Sequence, residues 1–576
     1  MIGGIRGFPK HGTIWSRHAH RNMKLYSPRS FRAYSVPPVA PKRQTQKLFK
    51  VGLGVGLVGS LLYATNDTVH NNVRHVVLTA ERIGVVTVAT IRCFSLYRKT
   101  IFAEYENDKE RLKAFSETHS KAAAIALKAL EKNGGIYIKL GQHVSALTYL
   151  LPSEWTETMV PLQDRCPMSS LEDIENMFQR DLGCSISEKF QDFDPNPVGV
   201  ASLAQVHIAT LRKTGEKVAV KIQHPSLQEF VPIDIYMTQT VFGLMHKVFP
   251  EYPLSWLGDE LQSSIYVELD FTNEAQNAER TSQYFQNFQE VTALKIPNII
   301  SAQPRIMIME YVAGARLDDL EYMKKHNINT SEVSSCLSHI FNNMVFTPGV
   351  GLHCDPHGGN LAIRAVEKSV HHHNFEIVLY DHGLYRQIPL QMKRDYSHFW
   401  LSVLDNDVPK MRMYSEKIAG ITTDQKFKIF ASAITGRDSN TALSYDITKT
   451  RTSEEMDSMR ESLHGQAGVL EDLMEMLSSM PRVVLLILKT NDLTRNLDEN
   501  LNNPLGPERT FLIMASYCAR VVYDEQKEII TKSYGHWSAS SILYSIKNWW
   551  SYQNRLRSLY IYDWLMLLRN LKARLL

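Results

Sequence analysis

The segment GVGLHCDPHGGNLAIR, residues 349–364, concentrates groups able to do chemistry. Asp355 is followed five residues later by Asn360. That spacing lets a carboxylate touch a transferring or attacking group while the amide binds a metal. His353, Cys354 and His357 stand around them and are zinc-type donors, but a fourth ligand is not evident and structural zinc sites close at four. A phosphoryl-transfer loop, a metal cluster and an accidental arrangement are the three readings to separate. Downstream, LYDHG carries Asp381, His382 and Gly383 at the end of an apolar run. A buried strand that delivers an Asp to a glycine turn aims its carboxylate at Mg2+ and phosphate oxygens.

Upstream, KVAVKIQ places Lys221 after Val-Ala-Val, the pattern in which a strand lysine reaches the α- and β-phosphates of a nucleotide. Before it, Gly199-Val200-Ala201-Ser202-Leu203-Ala204 has small residues at 199, 201 and 204. They let the backbone approach a phosphate, less freely than three glycines would. YVELDFTNEAQNAER, residues 266–280, puts Glu268, Asp270 and Glu274 on one predicted helix. Glu268 and Glu274 then point about 240° apart and cannot serve one partner. One is expected to pair with Lys221; the other needs a different cation or solvent. IMIMEYVAG ends an apolar strand at Glu310, Tyr311 and Val312, as a hinge whose backbone reads adenine would. Taken singly, a strand lysine or an acidic helix face is ordinary surface. Five such elements in kinase order point to phosphoryl transfer.

The elements that must position these groups follow from periodicity. Residues 70–130 read as helical, with AFSETHSKAAAIALKALEKNGG ending at a glycine pair. A second helix begins around IYIKLGQHVSALTYLLP and stops near Pro152. From Phe193 the pattern changes to two strands joined at KTGE. Helical periodicity returns over about 225–290, then two short strands precede the hinge. Residues 330–348 are helical, NLAIRAV and FEIVLYDHG form a strand pair, and nearly everything after 390 is helix. The fold class is α+β in two lobes, not the regular alternation of a parallel α/β sheet.

The chain has 576 residues, 44% of them hydrophobic, enough for more than one lobe. Its formal charge of +4 conceals an asymmetry. Residues 1–50 hold eleven Lys and Arg and no acid, whereas the rest holds 53 basic against 60 acidic residues. The body therefore has no nucleic-acid footprint. The basic start, free of acids, has the composition of a mitochondrial presequence or of a basic tail. VGLGVGLVGSLLYAT, 51–65, extended through Leu48 and Phe49, reads as a single membrane anchor, with a buried core helix as the alternative. If it spans, the basic side stays in the matrix and the main domain faces the intermembrane space. Six scattered cysteines give neither a zinc site nor a disulfide framework. The tail 542–576 interleaves aromatics with Lys and Arg, as an amphipathic helix at a membrane or one packed on the large lobe would.

Together these residues resemble the UbiB family of atypical kinases (aarF-domain-containing kinases) over roughly 130–400. The specific marker is Lys139-Leu140-Gly141-Gln142, the KxGQ motif, followed by LPSEW and LQDRCP. Residues 199–205 are similar to the family's Ala-rich loop, VELDFTNEAQN to its ExD segment and HCDPHGGN to its catalytic loop. The basic start and anchor resemble the mitochondrial, non-biosynthetic branch. The resemblance implies an atypical two-lobed kinase-like fold: a helical KxGQ extension over 66–192, an N-lobe over 193–314 and a mostly helical C-lobe over 315–541. Segment 1–47 would be the presequence, 48–65 the inner-membrane anchor and 542–576 the C-terminal helix. The KxGQ lysine, Lys139, would fold over the site and pair with Glu268, leaving Glu274 for Lys221, with Gln142 part of the same lid.

In this scheme Asp355 is catalytic, Asn360 and Asp381 hold Mg2+, and Gly199, Val200, Ala201, Ser202, Lys221, Glu310 and Val312 bind ATP. The implied activity is a Mg2+-dependent ATPase or small-molecule or lipid kinase in lipid or coenzyme Q homeostasis. Its partners would be a lipid membrane and coenzyme Q, its precursors or phospholipid. The alternative is a catalytically weak pseudokinase, a nucleotide-gated lipid-binding scaffold. Gly199-Val200 replaces two alanines, Asp381-His382-Gly383 replaces DFG, and Cys354 and Gly358 replace Ala and Pro. The missing APE-like segment and the lid argue against protein phosphorylation in trans.

Overall fold

The computed structural model describes residues 66–146, 151–163, 166, 168–248, 255–367, 372–435, 476, 480–503 and 506–575. The chain divides into two compact units, Met1–Val76 and Val77–Leu576. The expected presequence and the segment 48–65 lie outside the described residues. Among the described residues no helix is long and apolar enough to cross a membrane. The expectation of a single-pass inner-membrane protein facing the intermembrane space is corrected on that finding. The longest helices, of 35 and 37 residues, have the length but carry Lys, Arg, Asp and Glu along it, and each charge opposes insertion.

Helices α1 (Asp67–Ile101) and α2 (Asp108–Asn133) lead in. The Asn107 side chain accepts from the Glu110 N–H to start α2, and Gly134, at φ +65°, ends it. Helix α3 (Ile136–Ala146), which carries the KxGQ residues, packs with α2 and α4 (Ser153–Met159). A Cβ on Gly141 would collide with the Leu162 side chain. Only glycine lets α3 approach the 3-10 turn Val160–Gln163 this closely.

Ser170 caps α5 (Leu171–Leu182), whose Ile174, Met177 and Phe178 are buried. They lie against a twisted antiparallel sheet. The chain next forms β1 (Phe190–Phe193), β2 (Gly199–Val200), β3 (Ala204–Leu211) and β4 (Lys217–Gln223). Gly215, at φ +71°, makes the KTGE turn between β3 and β4. Helices α6 (Ser226–Val248), α7 (Ser255–Glu268) and α8 (Phe271–Phe285) follow. Then come β5 (Leu294–Lys295), β6 (Ile299–Ala302) and β7 (Ile306–Glu310), giving the sheet order β1-β3-β4-β7-β6 with β2 on β3. Along β4, Val218, Val220 and Ile222 are fully buried on the α5 side. The period-2 alternation sends Ala219 and Lys221 to the opposite face, where α8 contributes Phe271 and Ala275.

The second lobe has β8 (Ala315–Arg316), the deeply buried α9 (Thr330–Phe346), β9 (Leu352–His353), β10 (Leu361–Ala365), β11 (Phe375–Leu379) and β12 (Tyr385–Arg386). β5, β11, β10 and β8 make one small sheet, and β9 pairs with β12. The helices beyond include α10 (Leu390–Leu404), α11 (Arg482–Asn500), α12 (Gly506–Tyr534) and α13 (Ala539–Leu575). The fold is α+β, two-lobed and kinase-like, as the sequence implied. One element differs. The sequence reading puts Glu268 and Glu274 on a single helix, but α7 ends at Glu268 and Asp270 caps α8. The Asp270 carboxylate accepts from the Thr272 N–H at 3.0 Å, a bond that competes with continuing the helix.

Candidate functional site

The face of β4 away from α5 presents Lys221. Its Nζ lies 2.6 Å from Glu274 Oε1 on α8 and 3.0 Å from Asp381 Oδ2, just beyond β11. The Gly383 N–H donates to Asp381 Oδ1 at 2.9 Å. Burial works against the Lys221 ammonium, yet Asp381 and Glu274 outweigh it and raise its pKa above the ordinary lysine value. Burial pushes the Glu274 carboxyl up to about 7, against the pull of Lys221. Asp381 is partly buried, and Lys221 and the Gly383 N–H hold it below the usual carboxylate range. An ionised Asp381 is therefore fixed beside a lysine placed to meet phosphates.

A second cluster faces it. Lys139 Nζ, on α3, is 2.9 Å from Glu268 Oε2 and 3.5 Å from Asp355 Oδ2. Each glutamate thus has its own lysine. The helix break at Asp270, rather than rotation around one helix, sets their separate directions. Lys489, on α11, places its Nζ 3.0 Å from Asp355 Oδ1. Burial alone would raise the Asp355 pKa, but Lys489 and Lys139 together drive it well below the ordinary value. Among the described residues, two buried atoms here have no hydrogen-bond partner: Glu268 Oε1 and His143 Nε2. Burial, with Lys489 and Lys139 nearby, holds His143 down to about 3, so its ring is neutral.

The loop between the clusters is built by histidines. The Asp355 N–H donates to His353 Nδ1 at 3.1 Å, so the other ring nitrogen donates to the Asp381 carbonyl at 2.9 Å. His353 ties the two carboxylate-bearing segments together as a neutral group. The Gly359 N–H donates to His357 Nδ1 at 3.1 Å, shaping the turn. Cys354 is buried and its Sγ donates to the Leu352 carbonyl at 3.5 Å. With both His353 nitrogens engaged, the zinc reading has no support, and among the described residues no group of His, Cys, Asp and Glu is arranged to hold a metal. His382, where an ordinary kinase has Phe, is held to about 3 by burial. It lies 3.0 Å from the Tyr385 hydroxyl and 3.3 Å from the Leu379 carbonyl.

The remaining expected residues surround these clusters. Gly199 and Val200 form β2 against β3, and the Ala201 N–H donates to the Ala204 carbonyl at 2.7 Å, making a tight hairpin tip. Ser202 Oγ donates to Gln142 Oε1 at 3.4 Å, while Gln142 Nε2 donates to the Leu162 carbonyl at 3.0 Å. α3 is thereby joined to the hairpin tip. Glu310 spends its carboxylate on Lys295, 2.8 Å away, and on the Asn298 N–H. The Val312 carbonyl accepts from the Tyr380 hydroxyl at 2.9 Å. Asn360 Nδ2 donates to the Asp355 carbonyl at 3.1 Å, which leaves the amide oxygen as its acceptor group. That oxygen and the ionised Asp381 are hard oxygen donors of the kind that would hold Mg2+.

Residues 161–415 match the ABC1 atypical kinase-like domain. The ABC1 family protein MCP2 of Saccharomyces cerevisiae is 56% identical over 540 residues, covering 92% of this chain and 94% of that protein. The chain belongs to the ABC1/AarF family of atypical kinases. AarF domain-containing kinase 1 of Drosophila melanogaster is 35% identical over 481 residues, covering 83% and 89% of the two chains. A solved complex of Rv3197 with erythromycin from Mycobacterium tuberculosis aligns with 69% of this chain and 98% of that one, at TM-score 0.39 and 19% identity.

Within this ABC1/AarF chain, sequence reasoning missed His143 and Lys489. His143 had a signal: it follows Lys139 at i+4 and so shares its helix face. Lys489 had only a weak one, a lone cation after the apolar run VVLLIL of α11.

Proposed function

We propose that this ABC1/AarF protein binds Mg·ATP between the two clusters and turns it over, as an ATPase or a small-molecule or lipid kinase rather than a protein kinase. The observation that carries the reading is Lys221 bridging Glu274 and Asp381, the arrangement that phosphoryl-transfer sites use to fix a phosphate-binding lysine beside a metal-binding carboxylate. Mg2+, when bound, supplies charge neutralisation for the phosphates. Lys221 holds α- and β-phosphate oxygens, Glu274 orients Lys221, and Asp381 with Asn360 presents oxygen donors to the metal. Asp355 orients the acceptor hydroxyl or water in this reading. Lys139 and Gln142, on a helix tied to the hairpin tip, restrict access from that side and favour a compact acceptor over a folded polypeptide.

Lipid or coenzyme Q homeostasis is the setting we propose, on the family resemblance. The second reading, a weakly catalytic nucleotide-gated scaffold, is favoured by one observation: both Asp355 oxygens are engaged by ammonium groups, Lys139 and Lys489. ATP hydrolysis by the purified full chain, with and without phospholipid and quinone, separates the two. Turnover that falls at least about 100-fold in Asp381→Asn supports the enzyme. Mg·ATP binding by calorimetry without any turnover dependent on Asp381 supports the scaffold.

A further inference from the structure

Among the described residues, helix α13 packs through one face. Leu559 and Met566 bury against Leu512 and Ala515 of α12. Asn548 donates to the Tyr523 carbonyl at 3.0 Å, and Tyr552 stacks on Tyr523 with centroids 4.7 Å apart. At 100° per residue, Leu543, Ile546, Trp550, Tyr560, Ile561 and Trp564 fall on the opposite side in one stripe. These six are 53–72% exposed. Scattered exposed apolar side chains are normal, but two apolar patches, 543–550 and 560–564, lined up over about 30 Å of one face with Gln553, Asn554 and Arg557 between them, mark an interaction surface.

Charge decides what covers it. Residues 539–576 hold six basic residues, Lys547, Arg555, Arg557, Arg569, Lys572 and Arg574, against one acid, Asp563. That acid is turned to α12, where Arg509 Nε lies 3.4 Å from it. Arg555 is spent on Asp405, but the Arg557 guanidinium sits 5.6 Å from the Trp550 ring, on the stripe itself. A second copy docking through the same helix would bring like charge against like. Anionic headgroups would neutralise it, and Trp and Tyr suit a surface that is apolar below and polar above.

We propose that α13 docks the protein onto an anionic phospholipid surface, its axis in the membrane plane and its stripe sunk to the acyl boundary. This surface is independent of nucleotide turnover, so either reading of the site can fail without it.

The test uses the full chain, because the basic residues before 51 also attract anionic lipid and must be present in every variant. Flotation with phosphatidylcholine vesicles containing phosphatidylserine is compared with flotation on phosphatidylcholine alone. The Leu543→Glu/Trp564→Glu variant is expected to bind the anionic vesicles at least about tenfold more weakly, with unchanged melting since both positions face solvent. For a local readout, brominated phospholipid should quench tryptophan emission, and Trp550→Phe/Trp564→Phe should lose most of that quenching while still binding. Unchanged vesicle binding by the Glu variant, or quenching that survives the Phe replacements, overturns the proposal. So does a dimer that the Glu variant converts to monomer while vesicle binding persists.

Discussion

Two lysine–carboxylate clusters face each other across the site, and they are built differently. In the Lys221 cluster, one ammonium binds Glu274 and Asp381, and Gly383 satisfies the carboxylate oxygen that remains on Asp381. Its members stand on the central sheet, the helix packed against it and the end of a buried strand. In the Lys139 cluster, two ammonium groups share Asp355, while Glu268 Oε1 and His143 Nε2 are buried without partners. Its members come from α3, α7, a loop and α11. A buried polar atom without a partner costs free energy that a rearrangement or a ligand can recover. The first cluster is thus complete as it stands, and the second is the half that a bound molecule would reorganise.

The largest effect should come from Lys221→Met, which leaves Glu274 and Asp381 facing each other without a cation. A loss of about 3–5 kcal/mol in chemical denaturation is expected; a loss below about 1 kcal/mol would erase the claimed completeness. Gly141→Val should cost about 2 kcal/mol by pushing α3 off Leu162, and should increase proteolytic cleavage around α3 while leaving cleavage within the sheet unchanged. Lys139→Met is expected to cost less, about 1–2 kcal/mol, because Lys489 remains on Asp355 and Glu268, whose pKa burial already raises, takes up a proton when its lysine is gone. If it matches Lys221→Met, the contrast between the clusters is wrong.

The smallest effect concerns pH. His143 has a folded pKa of about 3 against an ordinary 6.5, so the unfolded chain binds the extra proton first. The stability this group contributes is present above pH 6.5 and lost as pH falls towards 3. Near pH 6, His143→Gln should remove less than about 1 kcal/mol of that acid sensitivity, read as a shallower fall in melting temperature below pH 6.5.

The Lys221 half was legible in the sequence because its parts are local patterns. Val-Ala-Val-Lys alternation fixes which face a strand lysine occupies, and an apolar strand running into Asp-His-Gly fixes where Asp381 emerges. The KTGE turn was legible for the same reason, since Gly215 takes a positive φ that other residues resist. The helix break at Asp270 was readable too: an Asp with Thr272 and Asn273 in the turn after it is an N-cap signal, and the apolar period running through Phe271 hid the stop. Lys489 was not legible. Nothing near residue 489 records that α11 will pass beside a loop 134 residues earlier.

That separation has a consequence for how the molecule is made. Lys221 lies 53 residues from Glu274 and 160 from Asp381, whereas Lys139 and Asp355 are 216 apart and Asp355 and Lys489 another 134. The Lys221 half is therefore complete once residue 383 has emerged. Contacts between distant positions close late and slowly. During synthesis, the nucleotide-facing half can assemble while the C-terminal helices are still inside the ribosome. Asp355 gains its second cation only after residue 489 has emerged, so a nascent chain completes one half of its site well before the other.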